Sequence, residues 1–144
     1  MTVQAPATSN PIAVLERFIQ AEVEYFAAED ADFPAEEHLD PEFVLYEPES
    51  MPYGGEWHGR DGFRRFLKVM DQTWSQMGPL NPPALIEHGD TVVVLATLDA
   101  RARGTERVIQ PPVCQVVRVR NGLLLEARMF YWDTAAINNA LRRE

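Results

Sequence analysis

A carboxylate that could act as a base, Glu47, ends a short apolar stretch of the chain. Residues 43–47 alternate as a strand does, and Pro48 ends it because proline lacks an N–H and fixes φ. Alternation places Phe43, Leu45 and Glu47 on one face. If that face is buried, desolvation raises the pKa of the Glu47 carboxyl towards values useful for proton transfer. If it is open, Glu47 is a solvated glutamate at a strand end.

Other residue types that carry chemistry are sparse. The only cysteine, Cys114, excludes an internal disulfide and a thiolate cluster, and we interpret it as a small packed hydrophobe. Three histidines lie far apart without metal-ligand spacing: His38, His58 and His88. Gly54-Gly55 falls far short of a dinucleotide fingerprint, and no P-loop is present. We therefore predict no metal and no cofactor.

Size and charge narrow the class of protein. A chain of 144 residues with 46% apolar residues predicts one domain with a real core, over residues 10–144 after a disordered tail at 1–9. The net charge of −9 argues against a nucleic acid or an anionic membrane as partner. No apolar stretch is long enough for a membrane span, and the first residues do not look like a signal peptide, which favours a cytoplasmic location.

The first half of the chain predicts helices around the strand that carries Glu47. Asn10 and Pro11 begin a helix that runs to about residue 28, Glu29-Asp30-Ala31-Asp32 breaks it, and residues 34–39 allow a short second helix. Residues 49–56 form a loop whose Met51 and Tyr53 are expected to be exposed, either as a pocket lid or as a plain connector. A third helix is predicted over residues 60–77 from its apolar stripe.

The second half predicts strands at residues 84–88, 91–103, 108–120 and 123–132, then a short helix capped by Asp133 or Thr134. Pro111-Pro112 requires a bulge or an edge position, and Asn121-Gly122 is a strong hairpin signal. The resulting order, α-β-α-β-β-β-β, indicates an α+β fold. In it, helices wrap one face of a curved, mostly antiparallel sheet to form a cone with an internal pocket.

This order, together with Glu47-Pro48, Trp57-His58-Gly59-Arg60 and Phe130-Tyr131-Trp132-Asp133, resembles the nuclear transport factor 2-like superfamily. The most similar members are SnoaL-like proteins and ketosteroid isomerases, and the resemblance covers about residues 10–142. It implies a cystatin-like cone. The superfamily includes isomerases, polyketide cyclases, dehydratases, epoxide hydrolases and pocket proteins without known chemistry.

The resemblance assigns roles to particular residues. Glu47 falls where ketosteroid isomerases have their general-base carboxylate. The tyrosine that holds the oxyanion in those enzymes corresponds to Phe18, which cannot donate a hydrogen bond. The second donor, a protonated acid, corresponds to Gln115, whose amide can donate to an enolate. An inward Gln115 places Val113, Val117 and Val119 on the inner face as well.

On the last strand, Trp132 matches a pocket tryptophan of the isomerases, so Glu126, Arg128 and Phe130 are expected to share its inner face. A buried guanidinium needs a carboxylate or an anionic ligand beside it. Arg128 is therefore either paired with Glu47 or Glu126 or a cation that orients the ligand. The expected ligand-binding residues are Phe18, Tyr25, Tyr53, Trp57, His58, Phe130 and Trp132.

Two functions remain open at this point. The first is a cofactor-free isomerase, cyclase or lyase in which Glu47 removes a proton α to a carbonyl and Gln115, with or without Arg128, stabilises the enolate. Its substrate would be a small apolar or aromatic molecule. The second is a non-catalytic ligand-binding or dimeric accessory protein in which Glu47 and Arg128 pair with each other. In both cases the resemblance implies a homodimer packed through the open face of the sheet.

Overall fold

Helices pack on one face of a curved sheet, which confirms the predicted α+β class. The computed structural model describes residues 10–28 and 31–143, so the predicted tail at 1–9 and the break at Glu29-Asp30 lie outside the described residues. The elements in chain order are α1 (Pro11–Ala27), α2 (Ala35–His38), β1 (Leu39–Glu47), β2 (Gly55–His58), α3 (Gly59–Thr73), β3 (Trp74–Pro79), β4 (Ala84–His88), β5 (Thr91–Ala102), β6 (Val108–Ile109), β7 (Pro112–Arg120), β8 (Leu123–Tyr131) and α4 (Thr134–Leu141).

One sheet contains all the strands of the described ranges, in the order β2-β1-β8-β7-β5-β3, with β4 and β6 also paired to β5. Neighbours are antiparallel except β1 and β8, which run parallel. The core lies between the concave face and the two long helices, where Leu15, Phe43, Phe63 and Leu67 are buried. Within the described chain, no helix has the length and apolar character needed to cross a membrane.

The first helix begins as its sequence predicts. The Asn10 side-chain oxygen accepts hydrogen bonds from the backbone N–H groups of Ile12 and Ala13, at 3.1 and 3.3 Å. Pro11 occupies the first helical position, where its missing N–H costs nothing. The cap fixes the residue at which α1 begins and therefore which of its side chains, Phe18 among them, face the core.

The third helix is shorter than its apolar stripe predicts. It ends at Thr73, and residues 74–79 form β3, which pairs with the second half of β5. The Thr73 hydroxyl donates to the Val69 carbonyl at 2.6 Å in the last turn. Trp74 then turns into the sheet and stays buried. Pairing with a distant strand therefore overrides the helical periodicity, and the predicted helix over 60–77 is wrong beyond Thr73.

The loop after β1 is part of the core and does not form a lid. Met51 and Tyr53 are buried, in contrast to the predicted exposure. The backbone N–H groups of Met51 and Gly54 donate hydrogen bonds to carbonyls within the loop and hold it in a compact shape. The Asn138 side-chain amide also donates to the Ser50 carbonyl, at 2.9 Å. Trp57 and His58 directly precede α3, which begins at Gly59, and they belong to the edge strand β2, which the sequence did not predict.

The last hairpin combines a tight turn with a bulge. Asn121 and Gly122 have φ of 54° and 79°, and this pair of left-handed residues is the one that a two-residue hairpin turn requires. The register shifts between the Arg118–Glu126 pair and the Val119–Leu124 pair, which leaves Leu125 as one extra residue in β8. From Glu126 onwards, the side chains of β8 therefore lie on the faces opposite to those that uninterrupted alternation from Leu124 would give.

Candidate functional site

A cavity of about 370 Å³ lies between the helices and the concave face of the sheet. Its polar wall residues are Glu22, Glu47, Gln115 and Tyr131. The rest of its wall is apolar, formed by Phe18, Ile19, Val23, Phe26, Phe43, Leu45, Phe63, Phe66, Leu67, Met70, Met77, Gly78, Pro79, Pro83, Val94, Ala96, Leu98, Val113, Leu124, Ala127 and Met129. A few polar groups in an apolar cavity of this size are typical of small-molecule sites.

Glu47 reaches the cavity from the end of β1. It shares the buried face with Phe43 and Leu45, as alternation predicts, and only 6% of it is exposed. Burial raises the pKa of its carboxyl to about 8, and a hydrogen bond from the Tyr131 hydroxyl at 3.0 Å partly opposes that rise. Near neutral pH this carboxyl can therefore both release and accept a proton.

Behind Glu47, two tyrosines and a tryptophan form a buried chain of polar groups. The Trp74 ring N–H donates to the Tyr53 hydroxyl at 3.3 Å, and the Tyr131 hydroxyl lies against both Tyr53 and Glu47. Burial, followed by the charge of Glu47, raises the pKa of both phenols. The two hydroxyls therefore stay neutral and can hold the Glu47 carboxyl in one orientation.

Gln115 lies on the cavity wall in β7, directly across the ladder from Met129. Val113, Val117 and Val119 are buried on the same face, which confirms the register predicted for this strand. The Gln115 side-chain nitrogen lies 2.8 Å from the Met129 sulfur. Thioether sulfur is a weak acceptor, so a ligand oxygen would compete for this amide donor.

Glu22 is a second carboxyl on the cavity wall, and the sequence analysis missed it. It lies on α1 at four-residue spacing between Phe18 and Phe26, on the face that lines the cavity. Burial raises the pKa of its carboxyl to about 8. This spacing is the sequence signal that could have identified Glu22, because a glutamate at helical spacing between apolar residues faces the same side as they do.

The predicted inner face of β8 is wrong. Arg128, Phe130 and Trp132 lie on the outside of the sheet, where Phe130 is 50% and Trp132 83% exposed. The cause is the extra residue Leu125, which shifts the alternation of β8 by one residue. Met129 and Tyr131 therefore face inwards. Tyr131 thus occupies the inner position for which Trp132 was expected.

The predicted pairing of Arg128 with Glu47 is wrong for the same reason. The Arg128 guanidinium stacks on the Tyr46 ring, 3.9 Å from its centroid, and approaches Glu126 at 3.8 Å. About half of its side chain is exposed. Of the alternatives for Arg128, the structure shows the pair with Glu126, at the surface and away from the cavity.

Of the five remaining predicted ligand-binding residues, one lines the cavity and four do not; among the four is Tyr53, whose hydroxyl accepts the hydrogen bond from Trp74 behind Glu47. Phe18 is on the cavity wall. Tyr25 packs against neighbouring phenylalanine rings, and Trp57 lies behind the wall with its ring N–H on the Tyr53 carbonyl at 3.1 Å. His58 is exposed and pairs with Glu56 at 2.9 Å, because β2 is the edge strand of the sheet.

Comparisons with known proteins agree on the fold. Residues 16–127 match a family model described as a SnoaL-like domain. An NTF2-like protein from Burkholderia xenovorans LB400 has a similar structure, with a TM-score of 0.80 at 17% identity over 92% of this chain and 95% of that one. A comparison with curated proteins gave no match.

Two further similar structures carry provisional functional names. One, from Jannaschia sp. CCS1, is provisionally named a SnoaL-like polyketide cyclase; it has a TM-score of 0.76 and 17% identity over 98% of this chain and 97% of that one. The other, from Rhodopseudomonas palustris, is provisionally named an isomerase; it has a TM-score of 0.70 and 18% identity over 90% and 97%. At these identities the similarity shows the fold alone.

Proposed function

We propose that this chain, which belongs to the family of SnoaL-like domains, is a cofactor-free enzyme that moves a proton on a small, mostly apolar carbonyl compound. The observation that carries the proposal is the Glu47 carboxyl. It faces the cavity, accepts a hydrogen bond from Tyr131 and has a pKa raised to about 8 by burial. A base whose pKa lies near the working pH transfers protons most effectively.

In the proposed step, the ionised Glu47 removes a proton from the carbon next to the carbonyl group. The electron pair of that C–H bond forms a carbon–carbon double bond, and negative charge moves to the carbonyl oxygen. The Gln115 amide donates a hydrogen bond to this oxygen. Tyr131 keeps the Glu47 carboxyl oriented throughout. Arg128 has no part in this step because it lies on the outer face of the sheet.

The wall also indicates which ligands the cavity accepts. Among the described residues, no Lys, Arg or His lines it, whereas Glu22 and Glu47 do. An anionic ligand would lose its hydration without gaining a counter-ion. We therefore expect 1-tetralone, a neutral bicyclic ketone, to bind at least ~10-fold more tightly than 1-naphthoate at pH 7, measured by calorimetry; ~1.4 kcal/mol corresponds to that ratio. Tighter binding of the carboxylate would contradict the proposed substrate class.

The reaction itself is tested by deuterium exchange at the α carbon of 1-tetralone, followed by NMR in D₂O. We expect exchange above the buffer rate, and the rate should rise between pH 6 and 8 as Glu47 ionises. Exchange at the buffer rate at every pH would overturn the enzymatic proposal. The apolar wall would then favour the second candidate, a ligand-binding protein of the same fold.

We also propose that two copies associate through the outer face of the sheet. Leu95, Cys114 and Phe130 lie side by side across three strands of that face, with the exposed Trp132 nearby. A second copy is the expected occupant because this row is self-complementary about a two-fold axis, and arginines and glutamate on the same face supply both charge signs.

Light scattering at micromolar concentration tests this association. We expect a dimer mass for the natural chain and a monomer mass for Phe130→Glu, since the substitution buries a charge in the interface. Leu80→Glu is the matched control because Leu80 is similarly exposed in the loop after β3. A monomer mass for the natural chain would refute the dimer.

A further inference from the structure

We infer that Glu22 is a second catalytic carboxyl, which donates a proton to the ligand's carbonyl oxygen while Glu47 removes the α proton. This inference rests on the proposed function and adds a residue that neither the sequence nor the family resemblance assigned. It makes the cavity an acid–base site with one carboxyl on the helical wall and one on the sheet.

The position of Glu22 is hard to explain by folding alone. Its neighbours on the cavity wall are Phe18, Ile19, Val23 and Phe26, and within the described chain it has no hydrogen-bond or ion-pair partner. Its near neighbour Glu24 shows the ordinary situation, since it is exposed and accepts a hydrogen bond from the Gln20 amide at 3.0 Å. Glu22 is half-buried, and its carboxyl lies on the apolar cavity wall, where no described group replaces the hydration it loses. Such a carboxyl weakens the fold, and a ligand in the cavity is the partner it lacks.

The surroundings of Glu22 keep it in the form that donates. The titratable groups on the cavity wall are Glu22, Glu47 and Tyr131, and α3, β3, β5 and β7 add apolar side chains and the neutral Gln115. None of these described residues is a cation, so none stabilises the ionised form of Glu22. Burial alone raises the pKa of Glu22 to about 8, so the group is protonated at neutral pH.

The proposed step balances without any co-reactant. Glu47 takes the proton from the α carbon, the C–H electrons form the carbon–carbon double bond, and the carbonyl π electrons move to oxygen. Glu22 gives its proton to that oxygen, which yields a neutral enol in place of an enolate. Return of a proton to carbon and release of the enol proton restore both carboxyls. A general acid that neutralises the oxygen avoids a bare charge inside an apolar cavity.

Binding of 1-naphthol, a stable mimic of the enol of 1-tetralone, tests the hydrogen bond to Glu22 without requiring turnover. We expect Glu22→Leu to bind 1-naphthol at least ~10-fold more weakly than the natural chain at pH 7, since an apolar side chain of similar size removes the hydrogen-bonding group. Glu24→Leu, on the exposed face of the same helix, should bind as the natural chain does. Equal binding by Glu22→Leu, or no binding by the natural chain, would overturn the inference.

The exchange reaction of 1-tetralone separates this inference from the proposed function. With both carboxyls acting, the rate should rise to about pH 8 and fall at higher pH as Glu22 loses its proton. Glu22→Gln should lower the rate at pH 8 by ~10-fold or more and abolish the alkaline fall. An unchanged rate and profile in Glu22→Gln would refute the role of Glu22 alone. Exchange at the buffer rate in the natural chain would refute both proposals.

Discussion

Replacing Glu47 by glutamine is expected to lower the rate of α-proton exchange on 1-tetralone by about 10²–10⁴-fold, the range that a positioned base contributes. Glutamine has nearly the same shape, and its carbonyl oxygen can still accept the hydrogen bond from Tyr131. The substitution therefore removes the proton acceptor and leaves the wall of the cavity in place. NMR measurement of deuterium incorporation at pH 8 gives the ratio of rates.

Two further variants make this result specific. Glu49→Gln is the matched control, because Glu49 lies two residues further along the chain and is exposed. Tyr131→Phe removes the hydrogen bond that lowers the Glu47 pKa, so the rising limb of its pH profile should move to higher pH. A rate for Glu47→Gln within twofold of the natural chain would show that another group is the base.

The free energy of unfolding is expected to fall by several kcal/mol between pH 5 and pH 8. The carboxyls of Glu22 and Glu47 have pKa values near 4.5 in the unfolded chain and about 8 in the folded one. Between these values the unfolded chain has released protons that the folded chain retains. Raising the pH through this window therefore destabilises the fold, by up to about 4 kcal/mol for each carboxyl.

Urea unfolding at pH 5, 6.5 and 8 measures this dependence. The double variant Glu22→Gln with Glu47→Gln should unfold at nearly the same urea concentration at all three pH values, and at pH 8 it should be more stable than the natural chain. The exposed pair Glu24→Gln with Glu49→Gln should keep the natural slope. A natural chain that is equally stable at pH 5 and pH 8 would show that neither carboxyl is held protonated in the fold.

The parts of the fold that were predicted correctly are those determined by local signals in the sequence. The cap at Asn10, the turn at Asn121-Gly122 and the alternation of residues 43–47 each depend on neighbouring residues alone, and the structure confirms all three. The inner face of β7 was predicted from the family resemblance at Gln115, and two-residue alternation then placed Val113, Val117 and Val119 beside it. Alternation on β1 and the resemblance on β7 thus predicted that Glu47 and Gln115 face the same cavity.

Long-range pairing decided what the sequence could not show. The apolar stripe of α3 continues past Thr73, and only the ladder to β5 turns Trp74 into a strand. The buried positions of Met51 and Tyr53 depend on packing against distant parts of the chain. The extra residue at Leu125 likewise has no turn residue or charge to announce it, so the assignments of Arg128, Phe130 and Trp132 failed together.

The bulge at Leu125 also gives β8 one residue of length that the cavity does not need. Beyond it, β8 carries Met129 and Tyr131 inside, while Arg128 and Phe130 face solvent. Because the bulge adds one residue to β8 with no partner on β7, deleting Leu125 would restore an unbroken ladder and leave every pair beyond it unchanged. Related chains could therefore differ in length by one residue at this place and keep the same cavity wall.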